Sequence, residues 1–310
     1  MFTAPGRRDF LRLLAASSAG AALPALAWAQ TAPAAIASTT LGDGILLFTG
    51  SGCNVLVVIA PDGLVMIDGG LEANSAALLE AVGRSTGGAR VQSLVNTHWH
   101  SDHTGSNEAL GHRGATIVAH QNTRRWLSSR VYRELLDRVY PPRPAEAIPT
   151  MTIARPETLM AGATRIELGP LPPAHTDGDI YAFLPAANVL MTSDVLTVGR
   201  YPVPDYSTGG WIGGLIDAAT ALLDIANDRT RLVPGIGPVQ SKADLQAEKE
   251  MLTVVKDRVW TMIRQGKSLQ EIAQEAPTRE FDAQWGANDA FLEATYVGLV
   301  RHTHELGGVL

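Results

Sequence analysis

Short apolar runs rich in β-branched residues alternate along the chain with longer amphipathic stretches. Continuous apolar runs bounded by Gly, Asp or Asn are typical of buried strands. The pattern predicts strands at Ile45–Phe48, Val55–Ile59, Leu64–Ile67, Val91–Val95, Thr116–Val118, Thr164–Leu168, Tyr181–Leu184, Val189–Thr192 and Arg231–Val233. Two groups of strands, each accompanied by helical segments, predict a mixed, layered fold of the α+β class.

Helices are predicted between and after these strands. The predicted helices are Ser75–Val82, Gln121–Leu136, Gly214–Ala226 and an amphipathic segment at Phe291–Val300. C-terminal helices are expected from about residue 241, because Ser241 and Ser268 each begin a Ser-x-x-acid capping pattern. Tyr140–Pro144 is too rich in proline for a helix or a central strand. It is interpreted as a linker between two halves.

The first 29 residues have the pattern of an export signal. Arg7 and Arg8 precede an apolar run through Leu26, and Ala27–Ala29 is an A-x-A cleavage site. We expect recognition by the twin-arginine export machinery, cleavage after Ala29 and a periplasmic location. The apolar run is short and interrupted by glycine and proline, so no stable membrane anchor is expected. Residues 30–310 are expected to form a single domain.

The charge and the cysteine content argue against a nucleic-acid-binding protein and against a disulfide-bonded one. The net charge is −6 and no lysine- or arginine-rich block is present, which argues against a nucleic-acid partner. Cys53 is the only cysteine, so no intramolecular disulfide can form. Because an apolar strand follows it, Cys53 is interpreted as a buried core residue and not as a metal ligand.

His98-Trp99-His100-Ser101-Asp102-His103 places four potential metal ligands within six residues. The segment follows a predicted strand, and alternate side chains of an extended segment share a face. His98 and His100 can therefore point to one metal, while Asp102 and His103 follow the turn and point to a neighbouring position. Imidazole suits zinc, copper, iron or nickel, and an adjoining carboxylate is compatible with zinc, iron or manganese.

The segment Thr97–Gly105 resembles the signature loop of the metallo-β-lactamase superfamily. Four further segments match the family in order and spacing, over roughly residues 40 to 240: Leu64–Gly70, Ala174–Asp179, Thr192–Asp194 and Val233–Val239. Within the superfamily, the chain resembles the exported quinoprotein-relay or "cyclase"-like hydrolase group. The resemblance implies an αβ/βα sandwich, in which two mixed β-sheets are flanked by helices and the metals lie at one edge.

The resemblance also implies a ligand set. His98, His100 and His175 would hold a first metal, Asp102 and His103 a second, and Asp194 would bridge them. Asp102, His103 and Asp194 would also be the catalytic residues. Ile236 stands where the family usually has Pro-Gly-His-Gly and a last histidine, so the second metal is expected to bind more weakly. Asp68 is expected to orient the metal loop by hydrogen bonds rather than to bind metal itself.

The implied activity is hydrolysis of a small-molecule substrate. Hydroxide on one or two Zn²⁺ ions would attack the carbonyl of an ester, lactone, thioester or amide. One alternative is a sulfur-dioxygenase-like enzyme with a single Fe²⁺ held by His98, His175 and Asp194. Another is a non-catalytic periplasmic metal-binding protein with a degenerate second site.

Other polar and aromatic residues have more ordinary interpretations. His112 is interpreted as lying in an exposed turn, without a partner at ligand spacing. Three aromatic residues follow Asp194 in a Pro- and Gly-rich segment, and they either line a substrate pocket or cover the core: Tyr201, Tyr206 and Trp211.

Overall fold

The computed structural model describes residues 35–305, with side chains to residue 302. The predicted export signal therefore lies outside the described residues. Within the described part of the chain, no helix combines the length and the apolar character needed to cross a membrane.

A seven-stranded mixed sheet forms the first layer of strands. In spatial order its strands are β1 (Ala37–Gly42), β2 (Ile45–Thr49), β3 (Val55–Ala60), β4 (Gly63–Ile67), β5 (Val91–Val95), β6 (Thr116–His120) and β9 (Met151–Ile153). The β1 to β4 strands pair antiparallel, whereas β4, β5, β6 and β9 pair parallel. The carboxyl ends of the parallel strands thus share one edge.

A five-stranded sheet forms the second layer. Its strands, in order, are β10 (Glu157–Ala161), β11 (Thr164–Pro170), β12 (Ile180–Leu184), β13 (Val189–Ser193) and β14 (Arg231–Pro234). All pairs are antiparallel except β13 with β14. A separate hairpin consists of β7 (Val131–Arg133) and β8 (Arg138–Tyr140), joined by a 3₁₀ turn at Glu134–Leu136.

Eight α-helices lie in the described part of the chain. They are α1 (Ser75–Ser85), α2 (Asn107–His112), α3 (Gln121–Leu127), α4 (Ile212–Ile225), α5 (Lys242–Arg264), α6 (Leu269–Glu275), α7 (Asp282–Trp285) and α8 (Asp289–Glu305). Ser241 and Ser268 form the predicted capping boxes of α5 and α6. The C-terminal helices therefore begin where the sequence predicts.

Each sheet has apolar side chains on both of its faces. The sheets therefore pack against each other on one face and against helices on the other, which gives four layers. Successive side chains of a strand point to opposite faces. In β4, Val65 packs into a core shared with the second sheet, whereas Met66 packs against α1. The outer face of the second sheet packs against α4, α5 and α8 through residues such as Leu190 and Leu232. This arrangement confirms the αβ/βα sandwich of the α+β class.

Three sequence interpretations were wrong between residues 107 and 144. Helix α3 ends at Leu127 instead of Leu136, because Val131–Arg133 pairs with Arg138–Tyr140 in the β7–β8 hairpin. The turn of that hairpin contains Asp137 at φ 46°, a left-handed conformation that Asp tolerates better than most residues. Tyr140, predicted to begin a linker, ends β8 and pairs with Val131. His112 ends α2 rather than lying in a turn.

Glu248 is a buried carboxylic acid on α5. Its Oε2 accepts hydrogen bonds from the Thr197 main-chain N–H at 2.9 Å and from the Thr197 hydroxyl at 2.8 Å. Its Oε1 has no hydrogen-bond partner among the described residues. Burial raises the pKa of Glu248 from its ordinary value of 4.5 to about 8. Between these values the unfolded chain releases a proton that the native protein retains, so stability falls as pH rises through this window.

We predict that Glu248→Gln removes this part of the pH dependence. Each pKa unit corresponds to about 1.4 kcal/mol, so the variant should gain stability relative to the natural chain by up to a few kcal/mol between pH 5 and pH 9. Urea denaturation of both proteins at the two pH values measures the difference. If the difference in stability between the variant and the natural chain is the same at pH 5 and at pH 9, Glu248 does not retain a proton in the native state.

Candidate metal centre

The candidate ligands lie on loops at the carboxyl ends of strands from both sheets. Residues 98–103 follow β5, Asp194 follows β13 directly, and His175 lies between β11 and β12. Thr97 connects the two sheets at this edge. Its main-chain oxygen accepts a hydrogen bond from Ile180 N at 2.9 Å, and its hydroxyl lies 2.7 Å from Ser193 Oγ. The ligands of the two halves are thus brought together by strand ends in direct contact.

Four ligand atoms converge at a first position. One ligand atom each of His98, His100, His175 and Asp194 lies within 4.8 Å of the others. His175 Nε2 is 3.0 Å from His100 Nδ1 and 3.4 Å from Asp194 Oδ2. All four residues are buried. Three imidazoles and one carboxylate oxygen therefore face one another as a set that can hold a metal ion.

A second, smaller group lies beside the first. It consists of Asp102, His103 and Asp194. His103 Nε2 lies 3.5 Å from Asp194 Oδ1 and 3.8 Å from Asp102 Oδ2. Because Asp194 directs Oδ2 to the first group and Oδ1 to the second, its carboxylate has the geometry of a bridge. The six sequence candidates are thus all brought together.

Several buried polar atoms of these residues lack hydrogen-bond partners in the described part of the chain, as expected of atoms that bind a metal. His98 Nε2, His103 Nε2 and Asp194 Oδ1 have no hydrogen-bond partner among the described residues. Leaving such an atom buried costs roughly 1–3 kcal/mol. Burial also lowers the pKa of His98, His100 and His175, which favours the neutral imidazole that binds metal. The donor set therefore fits a metal ion, which would satisfy the unpaired atoms.

Asp68 contacts the metal loop as the sequence analysis expects of an orienting residue. Its two oxygens accept hydrogen bonds from the Thr97 main-chain N–H and hydroxyl, each at 2.8 Å. Asp68 Oδ2 also lies 2.8 Å from His103 Nδ1. A proton on Nδ1 leaves the Nε2 lone pair of His103 directed at the second group. Asp68 itself lies at φ 66°, a conformation that these contacts stabilise.

Asp205 performs the same role for His100 and was missed by sequence reasoning. Its Oδ2 lies 3.0 Å from His100 Nε2 and accepts a hydrogen bond from the Thr208 hydroxyl at 2.9 Å. Trp99, the residue between the two loop histidines, donates its indole N–H to Thr208 Oγ1 at 3.1 Å. An Asp in a Pro-rich loop carries no distinctive pattern, so only the folded structure reveals this contact. Asp205 fixes the His100 tautomer whose Nδ1 faces the first group.

The main chain of the loop after β14 is held by hydrogen bonds that do not involve Ile236, which cannot bind metal. Asn54 holds the loop with three hydrogen bonds: its side chain donates to the carbonyls of Pro234 and Gly237 at 2.8 Å each, and its main-chain N–H donates to Gly235 O at 2.7 Å. A Cβ at position 235 would lie 1.7 Å from Asp194 Oδ1, so only glycine fits there. Ile236 is 38% exposed. The second group therefore has three ligands, none from this loop.

Cys53 lies behind His103 rather than in either ligand group with Asp194. Its sulfur is within 4.8 Å of ligand atoms of Asp68 and His103. Burial raises the pKa of the thiol to about 11, so without a metal it stays protonated at neutral pH.

A cavity of about 480 Å³ opens onto the ligands. Its lining includes His100, Asp102, His175 and Asp194, together with residues of the β7–β8 hairpin, the loop after β13 and helix α8. Of the three aromatic residues in question, Tyr201 lines this cavity. Trp211 instead lines a separate cavity, where its ring stacks on His302. Tyr206 is buried beneath Arg301.

The family model of the metallo-beta-lactamase superfamily matches residues 48–237, more than half of the chain. The chain belongs to this superfamily, whose members are generally hydrolases. No curated protein sequence gives a significant match. Membership of the exported quinoprotein-relay or "cyclase"-like group stays a prediction.

Solved structures with similar folds include enzymes of two kinds. A metallo-beta-lactamase from Pontibacter korlensis is 20% identical, with a TM-score of 0.58 over 70% of this chain and 99% of that one. The DIM-1 metallo-beta-lactamase is 20% identical, with a TM-score of 0.56 over 70% and 97%. The sec-alkylsulfatase Pisa1 from Pseudomonas sp. is 16% identical, with a TM-score of 0.64 over 88% of this chain and 55% of the sulfatase. At these identities the likeness shows the fold alone.

We predict that Asp205→Asn weakens metal binding. The substitution keeps the size of the side chain but removes the charge that holds the N–H of His100, and losing such a contact typically lowers metal affinity ten- to a hundredfold. Competition with a chromogenic chelator measures the change, and Asp228→Asn, at an exposed carboxylate, is the matched control. Equal affinities in the two variants would show that Asp205 does not orient a ligand.

Proposed function

We propose that the protein is a zinc-dependent hydrolase acting on the carbonyl of an ester, lactone, thioester or amide. The observation that carries the proposal is the first ligand group. Three buried imidazoles and the Asp194 carboxylate converge within 4.8 Å, and two of their ring N–H positions are set by contacts outside the group. Three nitrogen ligands with an open side facing a cavity are typical of catalytic zinc sites.

The ligand residues have two different roles in this site. His98, His100, His175 and Asp194 would hold one ion, which when bound lowers the pKa of a coordinated water and polarises the carbonyl that is attacked. Asp102 has the most exposed carboxylate of the ligands, at 32%, and faces the cavity. It is placed to hold the water by a hydrogen bond and to receive its proton.

A second ion would be held by Asp102, His103 and the shared Asp194. With Ile236 at the position of a fourth protein ligand, water would complete this shell. We therefore propose two sites of unequal affinity, of which the first is the tighter.

The choice of zinc over iron rests on His100. An iron centre of the two-histidine, one-carboxylate type would use His98, His175 and Asp194 and leave three positions open. Here His100 Nδ1 lies only 3.0 Å from His175 Nε2, so a third imidazole belongs to the same group. This supports the preference for zinc. Export by the twin-arginine route to the periplasm is proposed from the sequence pattern alone.

We predict that His98→Ala or His175→Ala abolishes tight zinc binding and hydrolysis. Each substitution removes one of three neutral nitrogen ligands of one ion. Zinc content and turnover are measured on a panel of a chromogenic β-lactam, lactones, thioesters and aryl esters. His112→Ala, which removes an imidazole that is 59% exposed, is the control and should match the natural chain. Full zinc content and turnover in either ligand variant would reject the site, and zinc-loaded protein inactive on the whole panel would reject the hydrolase.

We predict that Ile236→His strengthens the second metal site. Because Asn54 already holds the loop in place, the new imidazole would replace a water in an assembled site, and second-site affinity should rise about tenfold or more. The bound ion should also stabilise the folded protein by mass action. Calorimetric zinc titration compares Ile236→His with Ile236→Leu. Identical stoichiometry and affinity in both variants would mean that position 236 does not face the metals.

A further inference from the structure

The β7–β8 hairpin forms one wall of the cavity above the candidate ligands. Arg133, Leu135 and Leu136 all line this cavity. The tip of the hairpin is fixed from two sides, because Glu134 N donates to Ser207 Oγ at 3.1 Å and the Glu134 carboxylate accepts hydrogen bonds from Arg301 at 2.7 and 2.9 Å. Its side chains are therefore held at the mouth of the site.

Arg133 is a cation with unused hydrogen-bonding capacity in this wall. Its side chain is only 14% exposed. Nε lies 3.2 Å from Asp205 Oδ2, but the alignment is too poor for a hydrogen bond, and the terminal amino groups bond to no described residue. Asp205 Oδ2 is already shared with His100 and Thr208. A largely buried guanidinium is normally paired with an anion, and Arg133 has Asp205 as an ion-pair partner on its Nε side only. Its terminal amino groups can therefore bind a second anion.

Two apolar residues of the hairpin turn, Leu135 and Leu136, line the cavity beside Arg133. Leu136 is 51% exposed, and Leu135 beside it is partly buried. Val203 and Tyr201 line the same cavity from the loop after β13. An apolar surface thus lies beside the incompletely paired guanidinium.

The other charges of the lining limit where an anion can bind. Asp289 and Glu293 of α8 line the cavity, so this wall repels anions and attracts cations. Arg200 also lines the cavity but is exposed to solvent. Arg133 is therefore the desolvated cationic position, and one anionic group rather than two suits the cavity.

We propose that the cavity accepts amphiphilic monoanions, with a carboxylate or sulfate group bound by the terminal amino groups of Arg133 and an aliphatic chain lying on Leu135 and Leu136. That such molecules are substrates rests on the proposed function, whereas their binding does not. Binding of the anion is a property of Arg133 and the hairpin, and it can be measured without turnover.

The binding experiment uses the metal-loaded protein and four probes that each contain a linear six-carbon unit. Hexanoate and hexyl sulfate are titrated by calorimetry beside hexanol and hexyltrimethylammonium, and acetate measures direct binding to the metal. We expect one or both six-carbon anions to bind more tightly than the other probes and than acetate. Arg133→Met should weaken the preferred anion ten- to a hundredfold, since charge-assisted hydrogen bonds are lost. Arg133→Lys should have a smaller effect, and Arg143→Met, at a partly exposed arginine paired with Glu72, should have none.

The comparison of hexanoate with hexyl sulfate identifies the headgroup. Arg133→Met protein is compared at restored metal content, because loss of Arg133 also disturbs Asp205. Anion affinity that equals that of the natural chain under this condition would overturn the proposal. Tighter binding of the cation or of hexanol would overturn it as well. Leu136→Ser, at an exposed position, should weaken six-carbon anions but not acetate.

A kinetic arm separates this inference from the proposed hydrolase. The mono-4-nitrophenyl ester of adipic acid is compared with neutral 4-nitrophenyl hexanoate. We expect kcat/KM to favour the anionic ester, and Arg133→Met to reduce this preference at least tenfold through KM. Equal use of both esters by the natural chain would overturn the substrate class. Arg133-dependent anion binding without hydrolysis of any ester would reject the hydrolase while the ligand class stands.

Discussion

The hydrogen bonds of Thr97 connect the two halves of the molecule at the point where the ligands meet. Its hydroxyl lies 2.8 Å from Asp68 Oδ2 and 2.7 Å from Ser193 Oγ, so it joins the ends of β4 and β13. Asp68 and Ser193 both have positive φ, at 66° and 49°, a conformation that non-glycine residues adopt at a cost. His98 follows Thr97 directly, and Asp194 follows Ser193. The strained strand ends and the small hydroxyl between them therefore set where a first-sheet ligand meets a second-sheet ligand.

Local patterns predicted the parts of the fold that bury their own apolar runs. The central strands β3 to β5 and β12 to β14 are short, mostly apolar segments, and all were found near their predicted positions. Strands β1, β9 and β10 were not predicted, because most of β1 is exposed, β9 has only three residues and β10 buries only Ala161. The β7–β8 hairpin was mistaken for helix because Leu127, Val131 and Leu135 repeat every four residues, a spacing that also suits a helix. Contacts of Glu134 with Ser207 and Arg301, distant in sequence, favour the hairpin.

Some residues of the candidate site could be predicted from the sequence and others could not. A dense motif identified four ligand candidates within one loop, and the resemblance supplied His175 and Asp194. The orienting Asp205 and the cavity-lining Arg133 could not be predicted, since the sequence places neither near the motif. His100 and Asp205 are 105 positions apart, and they meet only because the loop after β13 folds back over the ligand loop. Residues that tune a site from a second chain segment leave no local signature.

In the loop after β14, the residues that packing requires are different from residue 236, the position at which a further metal ligand would stand. Gly235 must lack a side chain because Asp194 lies against it, and Asn54 holds the surrounding main chain through groups that do not involve residue 236. The side chain at 236 can therefore change without rebuilding the loop. A single position can thus act as a control on how tightly a second ion would be held, while the contacts that position the first ligand group stay unchanged.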